Sequence, residues 1–454
     1  MKAAFFTLGC KVNQYETYAM EELFKKNGYS LVSFDEPADI YVINTCTVTN
    51  VSDRKSRKMI RRAKNINKNA IIAVVGCYAQ VAPGEVAKME EVDLIIGTKD
   101  KGSIMAYLDE YLTDYHKTGM KMNTVDCEKF NGKLGGKPGS KFGDFNRLND
   151  FDDLALTHFE DRTRAFLKIQ DGCDSFCTYC IVPYARGRIR SMPSEKVIEK
   201  SKLLVETGFK EIVLTGIHIS SYGKDFEEQN FDLIRVMEEM GKIEGLERIR
   251  LGSLEPGYID ESVLKRLKKI RPFCEHFHLS LQSGCDKILN KMNRKYTKED
   301  YRQKVGLIRK YFPEAAVTTD IIVGFPGEEE DDFMETKAFA EEMKFSRIHI
   351  FKYSPRENTK AAGFPGQIDE SVKDDRSREL TALERMMCNE FMMNFTGQAY
   401  DVLIEKKRSD GKYEGHTRNY IKIFMDSEED VIGRIKRAMI GDLYEDGAIG
   451  EISP

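Results

Sequence analysis

Several features that would place a sequence quickly are missing from these 454 residues. No stretch approaches the roughly 18 apolar residues that a membrane span requires, so none is expected. No Walker-type phosphate loop occurs, nor a Ser/His/Asp or His/Glu zinc-protease signature, which removes those enzyme classes. Histidine is scarce at seven residues, and the net charge of -4 carries no global nucleic-acid signature. The opening MKAAFFTLGCKVNQYE is not a secretory leader, because its short apolar stretch runs at once into polar residues and Glu16. There is no solenoid repeat and no low-complexity tract.

What is present reads as soluble and globular: 41% hydrophobic and 32% charged residues, over a length that suits about two to four domains. Ten cysteines without a secretion signal point to a reducing cytoplasm. Clustered cysteines there bind metal or do chemistry more often than they form disulfides.

Three early segments share one shape. Lys2–Cys10 (KAAFFTLGC), Asp39–Cys46 (DIYVINTC) and Ala70–Cys77 (AIIAVVGC) are apolar runs that each end in a cysteine. Helical patterns at Thr17–Asn27 and Arg54–Ile66 separate them, which predicts a parallel α/β layer. The cysteines stand 36 and 31 residues apart, about one βαβ unit each. From Thr118 to Phe151 the pattern gives way to a Gly/Lys/Asp-rich linker or surface loop. A second alternating series follows. RAFLKIQ, EIVLTG, RIRLGS, HFHLSLQ, TTDIIVGF and RIHIFKY are strand candidates with helical stretches between them. Six βα units suggest a complete or partial barrel, with a flat doubly wound sheet as the alternative. Past Met393 short strand-like runs punctuated by glycine predict a small antiparallel barrel or sandwich.

The sharpest chemical signal is GCDSFCTYC, with Cys173, Cys177 and Cys180 directly after the first strand of the second series. Three thiolates this close suit the soft irons of one iron–sulfur cluster, and three ligands for four irons leave one iron open to a substrate. A zinc knot is the competing reading, but zinc sites come as paired CxxC elements and no second pair is near. Cys10, Cys46 and Cys77 form a second set. Each alone reads as a small buried residue at a strand end. Together they stand at equivalent points of consecutive units, whose carboxyl ends converge on one crevice. Cys127, Cys274, Cys285 and Cys388 show no constellation. Arg54–Lys68 holds eight Lys or Arg and no acid, a solvated face or a phosphate-steering patch. GHTRNYIKI, with His416, Arg418, Tyr420 and Lys422, mixes aromatic and basic residues as RNA-binding barrels do. Yet residues from Asn394 onward carry 9 Lys+Arg against 12 Asp+Glu, so composition alone does not assign RNA binding to this part. His276 and His278 share one strand face and read as packed barrel residues.

The segment FLKIQDGCDSFCTYCIVPYARGRIRS, with Tyr179 before its last cysteine, resembles the radical S-adenosylmethionine superfamily and, within it, the methylthiotransferase family. TLGCKVNQYET, INTCTVT and VVGCYAQ look like that family's three other ligand segments. The resemblance implies an amino-terminal parallel α/β methylthiotransferase domain (1–115), a linker (116–158), a partial (βα)6 TIM-like radical domain (159–392) and an all-β RNA-binding barrel of the TRAM type (393–454). It implies two 4Fe-4S clusters and S-adenosylmethionine. Cys173, Cys177 and Cys180 would hold the cluster that cleaves S-adenosylmethionine to a deoxyadenosyl radical. Cys10, Cys46 and Cys77 would hold an auxiliary cluster that carries the sulfur. Thr215 and Gly216, at a strand end, would let the backbone approach the methionine end of S-adenosylmethionine, and Ser280, Gln282 and Gly324 match family positions near the ligand, although glycines after strands are also plain turn residues. Arg294 is a weaker candidate for a carboxylate or phosphate contact. The implied substrate is threonylcarbamoyl-adenosine at position 37 of the tRNA anticodon loop, with isopentenyl-adenosine in tRNA and a ribosomal-protein aspartate as competitors. A flavodoxin- or ferredoxin-type reductant, a monomeric state and a cytoplasmic location complete the expectation. The rival from another class is an iron–sulfur electron carrier, which needs no barrel and fills all four ligand sites.

Overall fold

The three apolar runs that end in cysteine become neighbouring strands, because continuous β-branched sequence is buried on both faces of a parallel sheet. In the computed structural model, which describes residues 1–118, 151–154, 163–227 and 231–452, the chain forms two compact units. The linker expected at 116–158, Cys127 within it and the boundary at 159 lie almost wholly outside the described residues.

The first unit comprises Met1–Phe159, Gln170–Met192 and Ser354–Thr359. Strands β1 (Lys2–Thr7), β2 (Ser30–Leu31), β3 (Ile40–Thr45), β4 (Ile71–Gly76) and β5 (Leu94–Ile96) form one parallel sheet in the order β2-β1-β3-β4-β5. Tyr41, Ile43, Ile72 and Val74 pack under helix Asn50–Ile66 on one face. Ala3, Val42, Ala73 and Val75 pack with Phe24 and Leu108 on the other. The first helix spans Lys11–Lys26, starting earlier than the apolar pattern suggests, at the residue after Cys10.

Strand β6 (Arg164–Asp171) passes from the second unit into the first at Gln170, and its end pairs with β7 (Arg190–Ser191). The second unit comprises Glu160–Ile169, Pro193–Tyr353 and Lys360–Pro454. Here β8 (Glu211–Gly216), β9 (Arg248–Leu251), β10 (His276–His278), β11 (Ala316–Val323) and β12 (Arg347–Lys352) follow β6 in sequential spatial order. The two hydrogen-bonded groups, β6-β8-β9 and β10-β11-β12, are joined by parallel bridges at Ile249–Phe273 and Leu254–Leu279. Sequential order without reversal is the signature of a barrel rather than a doubly wound sheet. It is a partial barrel of six strands, the form that the family resemblance implies and one of those that the strand spacing left open.

Helix Glu370–Met393 leads into a closed barrel of β13 (Ala399–Lys407), β14 (Tyr413–Thr417), β15 (Lys422–Met425), β16 (Ile435–Tyr444) and β17 (Gly447–Ile452). It is antiparallel except for the β15–β17 pair, which is parallel and closes the ring. Val402, Ile404, Ile423, Ala438 and Ile440 fill it.

Candidate iron–sulfur and adenosylmethionine sites

In the first unit Thr45 lies opposite Gly76 in the β3–β4 ladder, and Thr7 lies opposite Asn44 in the β1–β3 ladder. Cys46 and Cys77 are therefore level with each other, and Cys10 follows within one residue of the same level. All three sit just past the carboxyl ends of adjacent parallel strands, where such sheets bind ligands. Cys10 is exposed, whereas Cys46 and Cys77 are buried. Burial pushes the Cys46 thiol up to about 11, and the thiols of Cys77 and Cys10 add to the rise. A thiol raised in this way by burial and by neighbouring thiols suits a cationic partner that accepts it as a thiolate.

Gly9 makes the approach possible. Its φ is +100°, and a Cβ there would stand 2.8 Å from Cys46 Cβ and 2.9 Å from Cys46 Sγ. Cys10 heads the sixteen-residue helix Lys11–Lys26, whose N-terminal N–H groups favour a thiolate. The loop after Cys46 is held by Arg356, which donates to Thr47 Oγ1 (2.6 Å) and Asn50 Oδ1 (2.5 Å) and pairs with Asp53 (2.7 Å).

Beneath the crevice lies a fully buried polar network that sequence reasoning missed. Arg186, from the segment after the CxxxCxxC motif, donates to Glu16 Oε1 (2.5 Å) and Asn13 Oδ1 (2.5 Å) and reaches Asp171 (3.3 Å). Lys101 pairs with the same Glu16 and donates to Asn44 Oδ1 (3.1 Å). Asn13 in turn donates to the carbonyls of Leu8 (2.7 Å) and Thr45 (3.0 Å), the two strand ends that carry Cys10 and Cys46. Burial works against the charge on Arg186, but Glu16, Cys77 and Asp171 more than offset it and hold the guanidinium ionised. The only hint in the sequence is charge and amide next to cysteine segments, in KVNQYE and PYARGR.

The Cys173/Cys177/Cys180 loop belongs to the same unit. All three cysteines are partly exposed. The loop curls on itself: Cys173 N–H donates to the Gly187 carbonyl, Cys180 N–H to the Cys177 carbonyl (both 3.0 Å), and Ser175 N–H to Cys173 Sγ (3.5 Å). Phe176 takes a left-handed φ of 46° and leaves its ring exposed, a strained conformation of the kind found at functional loops. A soft three-sulfur donor set fits a four-iron cluster with one iron left open at either triad.

The adenosylmethionine candidates lie in the second unit, at the carboxyl ends of its strands. Thr215 and Gly216 end β8. Ser280 and Gln282 follow β10, and Gln282 holds φ 70°, the left-handed region that favours glycine. Gly324 follows β11 at φ 71°, and a Cβ there would lie 2.3 Å from Lys373 Cγ. Its N–H donates to the buried Glu328 (2.6 Å), which Arg376 also holds (2.8 Å). Arg294 is not an exposed charge. It is paired with Glu255 (2.7 Å) and reaches the Ser280 carbonyl (3.4 Å), so it braces the Ser280 turn. Cys274 and Cys285 are buried, and the Cys285 thiol donates to Asp332 (3.4 Å).

One motif sits elsewhere than its composition suggests. His416, Arg418 and Tyr420 do not form an open RNA-binding face; they plug the amino-terminal end of the six-strand barrel. Tyr420 stacks between His276 (4.8 Å) and His416 (4.6 Å), with the Arg250 guanidinium 4.6 Å from its ring centroid. Arg248 donates to the His416 carbonyl (2.8 Å), Arg250 to the Arg418 carbonyl (3.0 Å), and Arg418 to the Phe273 carbonyl (2.7 Å). Glu211 holds Arg250 from below (2.7 Å). By contrast, the helix Asn50–Ile66 does present a basic surface. Arg54, Arg57, Lys58, Arg61 and Arg62 line one open groove, and Arg54, Lys55 and Lys58 make no ion pair among the described residues. No helix among the described residues is long and apolar enough to cross a membrane.

Comparison with known proteins agrees with this layout. Residues 2–97 match the uncharacterized protein family UPF0004, and residues 167–340 match the radical SAM superfamily. The radical S-adenosylmethionine methyltransferase TsrM from Kitasatospora setae shares the fold at a TM-score of 0.55 and 14% identity, over 80% of this chain and 75% of that one. Fold and matches together define a radical SAM protein with an added amino-terminal cysteine domain. The chain is 40% identical to the threonylcarbamoyladenosine tRNA methylthiotransferase MtaB of Bacillus subtilis (strain 168), over 98% of this chain and 95% of the relative. It is 41% identical to the MtaB of Aquifex aeolicus (97% and 100%), and 33% to the tRNA-2-methylthio-N(6)-dimethylallyladenosine synthase of Thermoanaerobacter sp. (96% and 89%). The chain therefore belongs to the methylthiotransferase family that contains the MtaB proteins.

Proposed function

We propose that this chain is a radical S-adenosylmethionine enzyme that methylthiolates carbon 2 of N6-threonylcarbamoyladenosine at position 37 of tRNA. The observation that carries the reading is the presence of two separate cysteine triads in a chain that matches MtaB from end to end. Cys173, Cys177 and Cys180 hold the radical cluster; Cys10, Cys46 and Cys77 hold the auxiliary one. When bound, the two 4Fe-4S clusters supply the electron that splits S-adenosylmethionine and the sulfur that is inserted.

The protein's own part is positioning and exclusion of water. Thr215, Gly216, Ser280, Gln282 and Gly324 hold S-adenosylmethionine at the barrel's strand ends. Arg294 and Tyr296 keep the Ser280 turn in place, the Tyr296 hydroxyl donating to the Ser280 carbonyl at 2.6 Å. The Arg186–Glu16–Lys101 network fixes the strand ends that present Cys10 and Cys46. The basic groove of helix Asn50–Ile66 takes tRNA phosphates. Domains are assigned as 1–115 for the auxiliary cluster, 159–392 for the radical chemistry and 393–454 for an RNA-binding barrel, with a linker between the first two. The enzyme works as a cytoplasmic monomer supplied by a flavodoxin- or ferredoxin-type reductant.

The test is a separation of functions. A Cys10/Cys46/Cys77 alanine variant is expected to retain about half the iron and still form deoxyadenosine, but to add no sulfur to tRNA. Loss of S-adenosylmethionine cleavage in a folded variant with an intact radical cluster would overturn the division of labour.

A further inference from the structure

Three side chains on the inner wall of the six-strand barrel have no part in the reaction described so far: His278 on β10, Asp320 on β11 and His349 on β12. The alternation of the strands puts them together. Thr319 lies within 3.4 Å of the Tyr301 hydroxyl of helix Lys298–Tyr311, Phe277 packs on Phe312 at 5.4 Å, and Ile348 is buried, so these face the helical layer. Their strand neighbours His278, Asp320 and His349 therefore face the concave side. Thr318 is level with His278, and Asp320 with His349.

Strands two apart in a sheet are separated by about 9–10 Å, yet the rings of His278 and His349 come within 5.7 Å across β11. The donor atoms of the three residues all lie within 4.8 Å of one another. His278 is oriented from behind: its Nδ1 sits 3.0 Å from Thr318 Oγ1. That leaves Nε2 aimed at Asp320 Oδ2 at 3.3 Å, buried and without a hydrogen-bond partner among the described residues. Asp320 is a quarter exposed and His349 is exposed, so the group is open to the barrel interior. Phe351, two residues beyond His349 on the same face, is 45% exposed. A flat apolar ring beside a convergent polar group is the wall of a site for a heteroaromatic ligand with a polar arm.

We infer that His278, Asp320 and His349 bind the N6 substituent of the substrate adenosine, with Phe351 against the purine. This rests on the substrate reading above and deepens it. Carbon 2 and N6 flank N1 on one edge of the purine's six-membered ring, and the bonds that leave the ring at carbons 2 and 6 diverge. With carbon 2 held at the strand ends, near Gln282 and Gly324, the diverging N6 arm reaches the wall that these same strands form. A threonylcarbamoyl arm carries a carboxylate, a hydroxyl and urea N–H groups. The imidazoles donate to the carboxylate; Asp320 accepts from the hydroxyl or the urea. An isopentenyl arm is all hydrocarbon and offers these polar groups no hydrogen bond, which is how a hydrogen-bonding site rejects an apolar analogue.

The test uses the holoenzyme with both clusters, offered tRNA bearing threonylcarbamoyl-adenosine and tRNA bearing isopentenyl-adenosine in competition. His349→Phe keeps an aromatic ring, and Asp320→Asn keeps the shape; iron per chain checks that each variant is folded. The expected result is a fall of about 10- to 100-fold in kcat/KM for the threonylcarbamoyl tRNA relative to the isopentenyl one, the worth of a hydrogen bond to a charged group. A ratio unchanged within about twofold in both variants would overturn the inference, even with wild-type activity on the threonylcarbamoyl tRNA intact. So would one zinc ion per chain in wild type that both variants lose, which would make the group a metal site. A wild-type enzyme inactive on that tRNA would instead defeat the substrate reading itself.

Discussion

Arg186→Met is the most informative single change in the first unit. The guanidinium is 1% exposed and donates to both carboxylate oxygens of Glu16 (2.5 and 3.1 Å), to Asn13 (2.5 Å) and to Asp171 (3.3 Å). Met keeps most of the volume, so the loss is electrostatic rather than a cavity. Breaking a buried ion pair from one side costs about 3–5 kcal/mol, because the other charge stays buried. Here part of that is retained. Lys101 still neutralises Glu16, and Arg190 remains 3.7 Å from Asp171. The lower end, about 3 kcal/mol, is therefore expected. For a unit of this size each kcal/mol moves the melting temperature by about 2–4 °C, which gives a fall of roughly 6–12 °C. Differential scanning calorimetry of the reconstituted protein reads it. A Glu16→Gln/Arg186→Met double variant should be less unstable than the sum of its parts, since the two groups share one interaction. A single variant that melts within about 2 °C of wild type would refute the claim that this network holds the cysteine strand ends.

Gly9→Ala combines a φ of +100° with a Cβ 2.8 Å from Cys46 Cβ, so iron per chain should fall by up to about half while the radical cluster remains; undiminished iron would contradict the close approach. Glu211 is held down to about 2: burial raises its carboxyl, but Arg250, Arg164 and Arg248 more than compensate. Its folded-state value is lower than the unfolded one, so its contribution, roughly 3 kcal/mol, is present above about pH 4.5 and lost as pH falls towards 2. Glu211→Gln should flatten that acid limb in urea unfolding of the second unit; an unchanged limb would remove Glu211 from the plug. Arg54, Lys55 and Lys58 replaced together by Gln should reduce the salt slope of tRNA binding by about 2–3 units, and an unchanged slope would place the phosphates elsewhere.

The barrel and the cysteine sheet were legible because both rest on local pattern. RAFLKIQ, EIVLTG and TTDIIVGF are strands within two residues of their expected bounds, and Cys46 and Cys77, just past the ends of β3 and β4, do align in register. Strand β5, only three residues long, leaves too short a pattern to read. The failures come from contacts between residues far apart in the chain. Lys101 meets Glu16 across 85 residues, and Arg186 meets it across 170. HTRNY has the aromatic and basic mixture of an RNA-binding loop, and the same mixture suits a socket lined by Arg164, Arg248, Arg250 and Glu211. Composition cannot distinguish a phosphate from a buried ring of arginines and carbonyls. His278, Asp320 and His349 are 29 to 71 residues apart in sequence and become neighbours only through strand register.

The central claim is the identity of the modified base. Nucleosides prepared from total tRNA of a strain lacking this gene, and from the same strain carrying it on a plasmid, can be compared by mass spectrometry. The expected result is loss of the 2-methylthio derivative of threonylcarbamoyladenosine, with the unmethylthiolated nucleoside accumulating, and its return on complementation. Persistence of that derivative alongside loss of the methylthio-isopentenyl nucleoside would contradict the account.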